Sequence, residues 1–327
     1  MKKTLTSFVV LWLLLAGLIF ASVNLGSIRV SLPELLKGLF VAYNENVAVV
    51  FDLRFPRIII AVLSGAALAV SGVLFQAVMK NPLADPGIIG ISAGASFAAV
   101  LVTMFFPAWF FFSPIFAFGG GVVACFLVYS LSWKSGLTPL RIILVGIAVN
   151  AVFSGLLEAV NYMTGGRQSV VAAIVGANIS MKTWDDVHTL VWYVLVGLLG
   201  ALAVSGRCNL LSLEDKTVRN LGVNVHAVRV LVSAVAVLLA GIATAVAGVI
   251  SFVGLIVPHI ARLLVGSNHR TLIPFSILLG SFTVLLADTA GRVIAAPYEI
   301  PASIVMAVIG GPFFIFLLRR SDKTYGN

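Results

Sequence analysis

The stretch LSGAALAVSGVL, Leu63–Leu74, carries no charge and places two glycines, Gly65 and Gly72, seven residues apart. A second stretch, LAGIATAVAGVI, Leu239–Ile250, matches it at seven of twelve positions, pairing Gly65 with Gly241 and Gly72 with Gly248. Seven residues are about two helical turns, so both glycines of a copy fall on one helix face. Small residues on a face let helices approach closely in lipid. They recur in many membrane helices, but matched order over twelve positions favours a duplicated unit.

The composition demands a membrane. The 327 residues are 60% hydrophobic and 10% charged, with mean hydropathy +1.11, against roughly a quarter charged in a soluble domain. Cys125 and Cys208 form no CxxC pair and suggest neither a disulfide framework nor a zinc site. The net charge of +9 comes from basic residues scattered at span ends, which suits membrane orientation better than nucleic acid. The N-terminal run Phe8 to Val23 reads as an uncleaved first helix, being nearly span length with no clear A-x-A site after it.

Polar, proline and glycine punctuation predicts ten helices, at 5–23, 57–79, 87–106, 115–133, 140–162, 187–206, 226–249, 252–266, 272–290 and 302–319. Those at 87–106 and 252–266 are short or interrupted. With both termini cytoplasmic, fourteen of the 21 lysines and arginines lie inside, as the positive-inside rule requires. The first copy of the repeat then runs outside to inside and the second inside to outside, the inverted arrangement common in transporters. The expectation is an all-α polytopic membrane protein forming one transmembrane domain over 1–327.

The chain lacks GxxxxGK[ST], HExxH and a dinucleotide fingerprint, so no catalytic, cofactor or metal residues are assigned. His259, in VPHIAR, reads as a packing histidine. Two acids fall within predicted spans, Glu158 and Asp288. Intramembrane acids face a cavity or a partner, and they are the sequence basis for a rival reading as an ion-coupled secondary carrier. Gln76, Asn150 and Asn161 are candidates for a pathway lining.

Between the sixth and seventh spans LSLEDKTVRNLGVNVHAVR, Leu211–Arg229, is polar. Ser212 followed by Asp215 fits a capping box, and Gly222 stands where a helix would stop. A helix over 213–221 is too short to cross a bilayer and faces the cytoplasm in this orientation.

LRFPRIIIAVLSGAALAVSGVLFQAVMKNPLADPGIIGISAGAS, Leu53–Ser96, resembles the hallmark of the FecCD family, the membrane permeases of ABC importers for iron-siderophores, haem and vitamin B12. The resemblance continues through VRNLGVNV, GVISFVGLIVPHIARLLVGSNHRTLIPFS and LADTAGRVIAAPYEIPASIVMAVIGGPFFIFLL, spanning Leu53 to Leu318. It implies ten transmembrane helices per subunit and a second permease subunit, identical or related. It also implies two cytoplasmic ATPase subunits, and a periplasmic or lipoprotein substrate-binding protein outside. The substrate implied is a siderophore-iron or haem chelate, with cobalamin as the alternative.

By the same resemblance, 213–221 is the coupling helix that inserts into the ATPase, with Glu214, Asp215, Val218, Arg219, Leu221 and Gly222 as its contacts. Arg54, Arg57 and Arg292, at the outer ends of spans, would receive glutamates of the binding protein through guanidinium forks. The broken segment KNPLADPGIIG, with Asn81, Pro82, Asp85 and Pro86, would form the cytoplasmic end of the pathway. A short external gating helix is expected at 168–177.

Overall fold

Neither charge nor proline stops the second helix where the sequence pattern predicts. In the computed structural model, which describes residues 2–25, 31, 33, 34, 37, 38, 44–87, 89–132, 139–163, 179–180, 182–295 and 298–325, this helix begins at Glu45, not at 57, and runs to Met79. The Asn44 carboxamide oxygen accepts from the Asn46 and Val47 N–H groups, satisfying two donors of the first turn. Pro56 lies inside the helix; its missing N–H costs one ladder bond, which neighbouring helices make tolerable. Thirty-five residues reach about 52 Å, well beyond the ~30 Å hydrocarbon layer.

The helices in chain order are α1 Lys2–Asn24, α2 Glu45–Met79, α3 Ile91–Phe105, α4 Ser113–Ser132, α5 Pro139–Met163, α6 Trp184–Leu211, α7 Asp215–Asn220, α8 Val225–Ala247, α9 Val253–Val265, α10 His269–Ile294 and α11 Ala302–Tyr325. A 3-10 turn, Pro107–Phe112, joins α3 to α4. No strand occurs among the described residues. Seven helices (α1, α2, α4, α5, α6, α8 and α10) are long and apolar enough to cross a membrane, while α3, α9 and the Ala302–Ile315 part of α11 are apolar but shorter. The chain is an all-α polytopic membrane protein. The ten expected spans correspond to ten apolar helices among the described residues, not to ten full-length crossings. The expected gating helix at 168–177 lies outside the described residues.

α2 is the central helix: 83% of its most apolar window is buried, against 22% for α1. It packs on α6, α8, α9 and α10. The Ser71 hydroxyl donates to Ala236 O of α8 at 2.7 Å, and the Ser281 hydroxyl of α10 donates to Val62 O at 2.9 Å. Such bonds tie helices together where apolar contact has no advantage over lipid. Backbones meet at glycine pairs. A Cβ on Gly65 would lie 2.3 Å from Gly280 O of α10, and one on Gly72 only 2.0 Å from Gly254 O of α9. Gly241 packs on α4, where a Cβ would meet Phe118 Cα at 3.2 Å.

Gly248 departs from its expected packing role. It is the C-cap of α8 with φ +79°, a left-handed position, because α8 stops at Ala247 while α2 continues five residues past Leu74. Both repeated stretches nevertheless lead into a left-handed break and then a short helix, through Lys80 and Gly90 before α3, and through Gly248 and Phe252 before α9.

Candidate functional site

Charged groups gather at the two ends of the bundle. At one end, Arg57 of α2 is buried and holds Asp288 of α10 in a fork: Nε reaches both carboxylate oxygens at 3.1 and 3.0 Å, and Nη2 reaches one at 2.9 Å. Its remaining nitrogen, Nη1, donates to Glu299 at 2.8 Å. Arg292 lies 3.5 Å from Asp288 and donates to the Ser22 hydroxyl of α1; Arg54 donates to Val23 O. Three arginines and two acids leave this cluster one positive charge in excess. Burial pushes the Glu299 carboxyl up, but Arg57, Ser180 and Arg292 outweigh it and hold the group below its ordinary range.

Arg57 is therefore not a free surface donor waiting for a partner's carboxylate. The spacing Asp288–Arg292, four apart on a helix, was readable as a pair. The Arg57–Asp288 fork joins residues 231 apart in sequence and had no local sign, and Glu299 stood in a loop without any pattern. Asp288, one of the two acids expected to face a cavity or a partner, is 2% exposed and neutralised by Arg57.

At the other end, Glu214 is the N-cap of α7, and the Ser212 hydroxyl donates back to Asn209 O. The capping box expected from Ser212 and Asp215 is thus absent, because Ser212 still belongs to the final turn of α6. Asp215 instead anchors α7 to the body, accepting from Lys80 at 3.0 Å and from Arg229 at 3.1 Å. Burial pushes its carboxyl up, but these two cations prevail and hold it below its ordinary range.

Val218 is 1% exposed and faces the protein's own core, not an external partner. The helix closes in a Schellman motif: Gly222 N–H donates to Arg219 O and Val223 N–H to Val218 O, with Gly222 at φ +76°. What remains exposed is Glu214, Lys216, Thr217, Arg219, Asn220, Leu221 and Gly222, with Leu221 61% exposed. Val218 and Asp215 hold the helix; Leu221 and Arg219 are what it presents.

The KNPLADPGIIG segment is a chain of local turns. The Asn81 side chain accepts from Leu83 N–H, and buried Asp85 from Gly87 N–H. Gln76, proposed for the pathway, instead pins this segment to α9, its amide nitrogen donating to Ala84 O and Gly254 O. Pro82 and Pro86 lie in the same turns. Gly90 sits against Asn150 of α5, which a Cβ would approach to 2.8 Å. His259 packs edge-on against Phe313. Glu158 is exposed on α5.

This arrangement, a small-residue core with charged clusters at both ends, coincides with a known pattern of sequence. Residues 13–320 match the FecCD transport family. The chain belongs to the FecCD transport family. Among curated FecCD-type relatives, the "Probable heme-iron transport system permease protein IsdF" of Staphylococcus aureus (strain MSSA476) is 39% identical over 322 residues, 98% of each chain. The same protein from strain Newman gives the same identity and coverage. A solved chain described as a candidate metal-chelate type ABC transporter, in an inward-facing conformation, superposes with TM-score 0.81 at 33% identity over 95% of this chain and 97% of that one. PsaBC from Streptococcus pneumoniae, in complex with Fab, shares the fold at TM-score 0.60 and 17% identity, over 88% and 95%. The chain is thus a multi-pass membrane permease of the ABC-transporter type.

Proposed function

We propose that this chain is the membrane permease of a binding-protein-dependent importer that moves an iron chelate, haem before siderophore, into the cytoplasm. The observation carrying the substrate class is the 39% identity to a heme-iron permease along 98% of both chains. Both termini lie in the cytoplasm on this reading, α7 meets an ATPase subunit, and the Arg57 cluster faces an external binding protein. ATP is hydrolysed by two partner ATPase subunits. A second permease subunit completes the pathway, a reading supported by Glu158, since lipid would not tolerate a carboxylate on the exposed face of α5. No observation favours cobalamin over an iron chelate. The secondary-carrier reading loses one of its two acids, because Asp288 is already neutralised by Arg57.

The exposed Leu221 beside a rigidly anchored α7 supports a coupling role: a short helix held by Asp215 and Val218 transmits force without swivelling. Leu221→Asp should abolish ATP-driven uptake in liposomes, by at least about tenfold, while leaving the melting midpoint of the purified chain unchanged. Normal uptake by this variant would remove α7 from the coupling machinery.

For docking, the arginines are buried or half-buried and already bonded internally, so each pair with a partner carboxylate should be worth only about 1 kcal/mol, roughly fivefold in Kd, and weaken with salt. Arg54→Glu should weaken binding-protein affinity by that factor. Glu299→Gln, which releases one nitrogen of Arg57 from an internal carboxylate, should strengthen it. A titration of labelled binding protein that finds neither change would leave these arginines as anchors only.

A further inference from the structure

Among the described residues six have positive φ, and four of them are glycine: Gly90, Gly222, Gly248 and Gly266. The exceptions are Lys80 at φ +49° and Phe252 at φ +67°. A Cβ strains this conformation, which is why glycine is the usual choice. Both exceptions put their side chains to use. Phe252 lies against Gly310 and Phe314 of α11. Lys80, the C-cap of α2, sends Nζ to Leu213 O, between α6 and α7, and to Asp215 of α7 at 3.0 Å.

Stability does not account for Lys80. Its pair with Asp215 is about one-third exposed on both sides, and such pairs contribute little. Glycine would hold the same turn with less strain. Without Lys80, Asp215 would keep Arg229 and Val218 would stay in the core, so α7 would remain attached. What a long cationic side chain adds is a link from α7 to the end of α2. Strain kept where it brings little stability marks a functional position.

On the other side of Lys80 the backbone is closely tied. Its N–H and that of Asn81 both donate to Gln76 O. The Gln76 side chain in turn donates to Ala84 O, within the turns that follow, and to Gly254 O of α9. Ala84 N–H donates to Asn81 O at 3.2 Å, and the Asn81 side chain accepts from Leu83 N–H. Hydrogen bonds therefore run from α7 through Lys80 into the turns that join α2 to α3, and on to α9. A shift of α7 moves these turns or breaks the Lys80 link.

We infer that Lys80 is a positioning residue that carries movement of α7 into the turns at 81–87. The inference rests on the reading that α7 meets an ATPase subunit, and the experiment separates the two.

The transporter is assembled in lipid nanodiscs with its partner ATPase, and a fluorophore is attached at Pro82→Cys, an exposed position in the turns. Cys125 and Cys208 are buried and stay unlabelled. Adding ATP should change the emission of the label. In Lys80→Gly, which keeps the left-handed turn, this change should shrink by about fivefold or more. The melting midpoint should not fall, and ATP hydrolysis should continue. Lys80→Arg, whose guanidinium can donate to the same oxygens, should restore the response. A full response in Lys80→Gly would overturn the proposal, as would the absence of any ATP response with Lys80 in place. Leu221→Asp in the same assay tests the underlying reading. A response lost in Leu221→Asp but kept in Lys80→Gly removes the Lys80 link alone. A response kept in Leu221→Asp removes α7 from the coupling machinery, and the link with it.

Discussion

Gly72→Ala should destabilise the folded chain by about 3 kcal/mol or more, lowering the melting midpoint in detergent by roughly 5–10 °C. A single methyl is enough because its carbon would sit 2.0 Å from Gly254 O and 2.4 Å from Gly254 Cα, both backbone atoms that cannot rotate away. α2 and α9 would have to separate along the central seam, and lipid offers no hydrophobic gain to restore the contact. Gly65→Ala meets the same obstacle at Gly280 O, 2.3 Å away. Gly241→Ala should cost less than about 1 kcal/mol, since its nearest neighbours stand at 3.2–3.4 Å and a shift of a few tenths of an ångström accommodates them. Gly248→Ala falls between, at about 1–2 kcal/mol, through its positive φ and not through packing. Equal melting of the Gly72 and Gly241 alanine variants would mean that the central seam is looser than this geometry.

Asp288→Ala should cost about 3–5 kcal/mol, because it strands the Arg57 guanidinium in a buried site with its fork empty. Glu299→Ala, which removes the half-exposed partner of the same arginine, should cost under about 1 kcal/mol. Replacing both members of the buried pair, as Arg57→Met with Asp288→Leu, should recover most of the loss, since well-packed apolar groups often substitute for a buried ion pair without penalty. Thermal melting of the three variants is the measurement. If Asp288→Ala melts no lower than Glu299→Ala, Arg57 finds other partners and the fork is not a structural clamp.

The helices were legible in the sequence because bilayer burial leaves an unmistakable signal, namely long apolar runs with few charges. α7 was legible for the converse reason, a polar island between such runs, and so was its end at Gly222. Its anchoring was not. Val218 looks like an apolar contact for a partner until the backbone shows it turned inward, and Asp215 looks like a capping acid until Lys80 and Arg229 arrive from α2 and α8.

The glycines divide in the same way. Gly65 and Gly72 were recognised as contact points, but their partners Gly280 and Gly254 lie about 180–215 residues further along the chain, and no period in the sequence joins them. Gly248 shows where a pattern misleads: identical neighbours do not guarantee that the helix continues through both copies. The start of α2 was missed because Pro56 and the charges Asp52, Arg54 and Arg57 imitate a loop, whereas the helix runs through them from its cap at Asn44.

The central claim is that this permease carries an iron chelate inward at the expense of a partner's ATP. The direct measurement is uptake into proteoliposomes that contain the chain together with its co-purified ATPase, with the binding protein added outside and ATP enclosed. Haem should accumulate inside only when ATP and the binding protein are both present, and Leu221→Asp should stop accumulation without dissolving the complex. Haem accumulation by the purified chain alone, or accumulation driven by an ion gradient without ATP, would contradict the account.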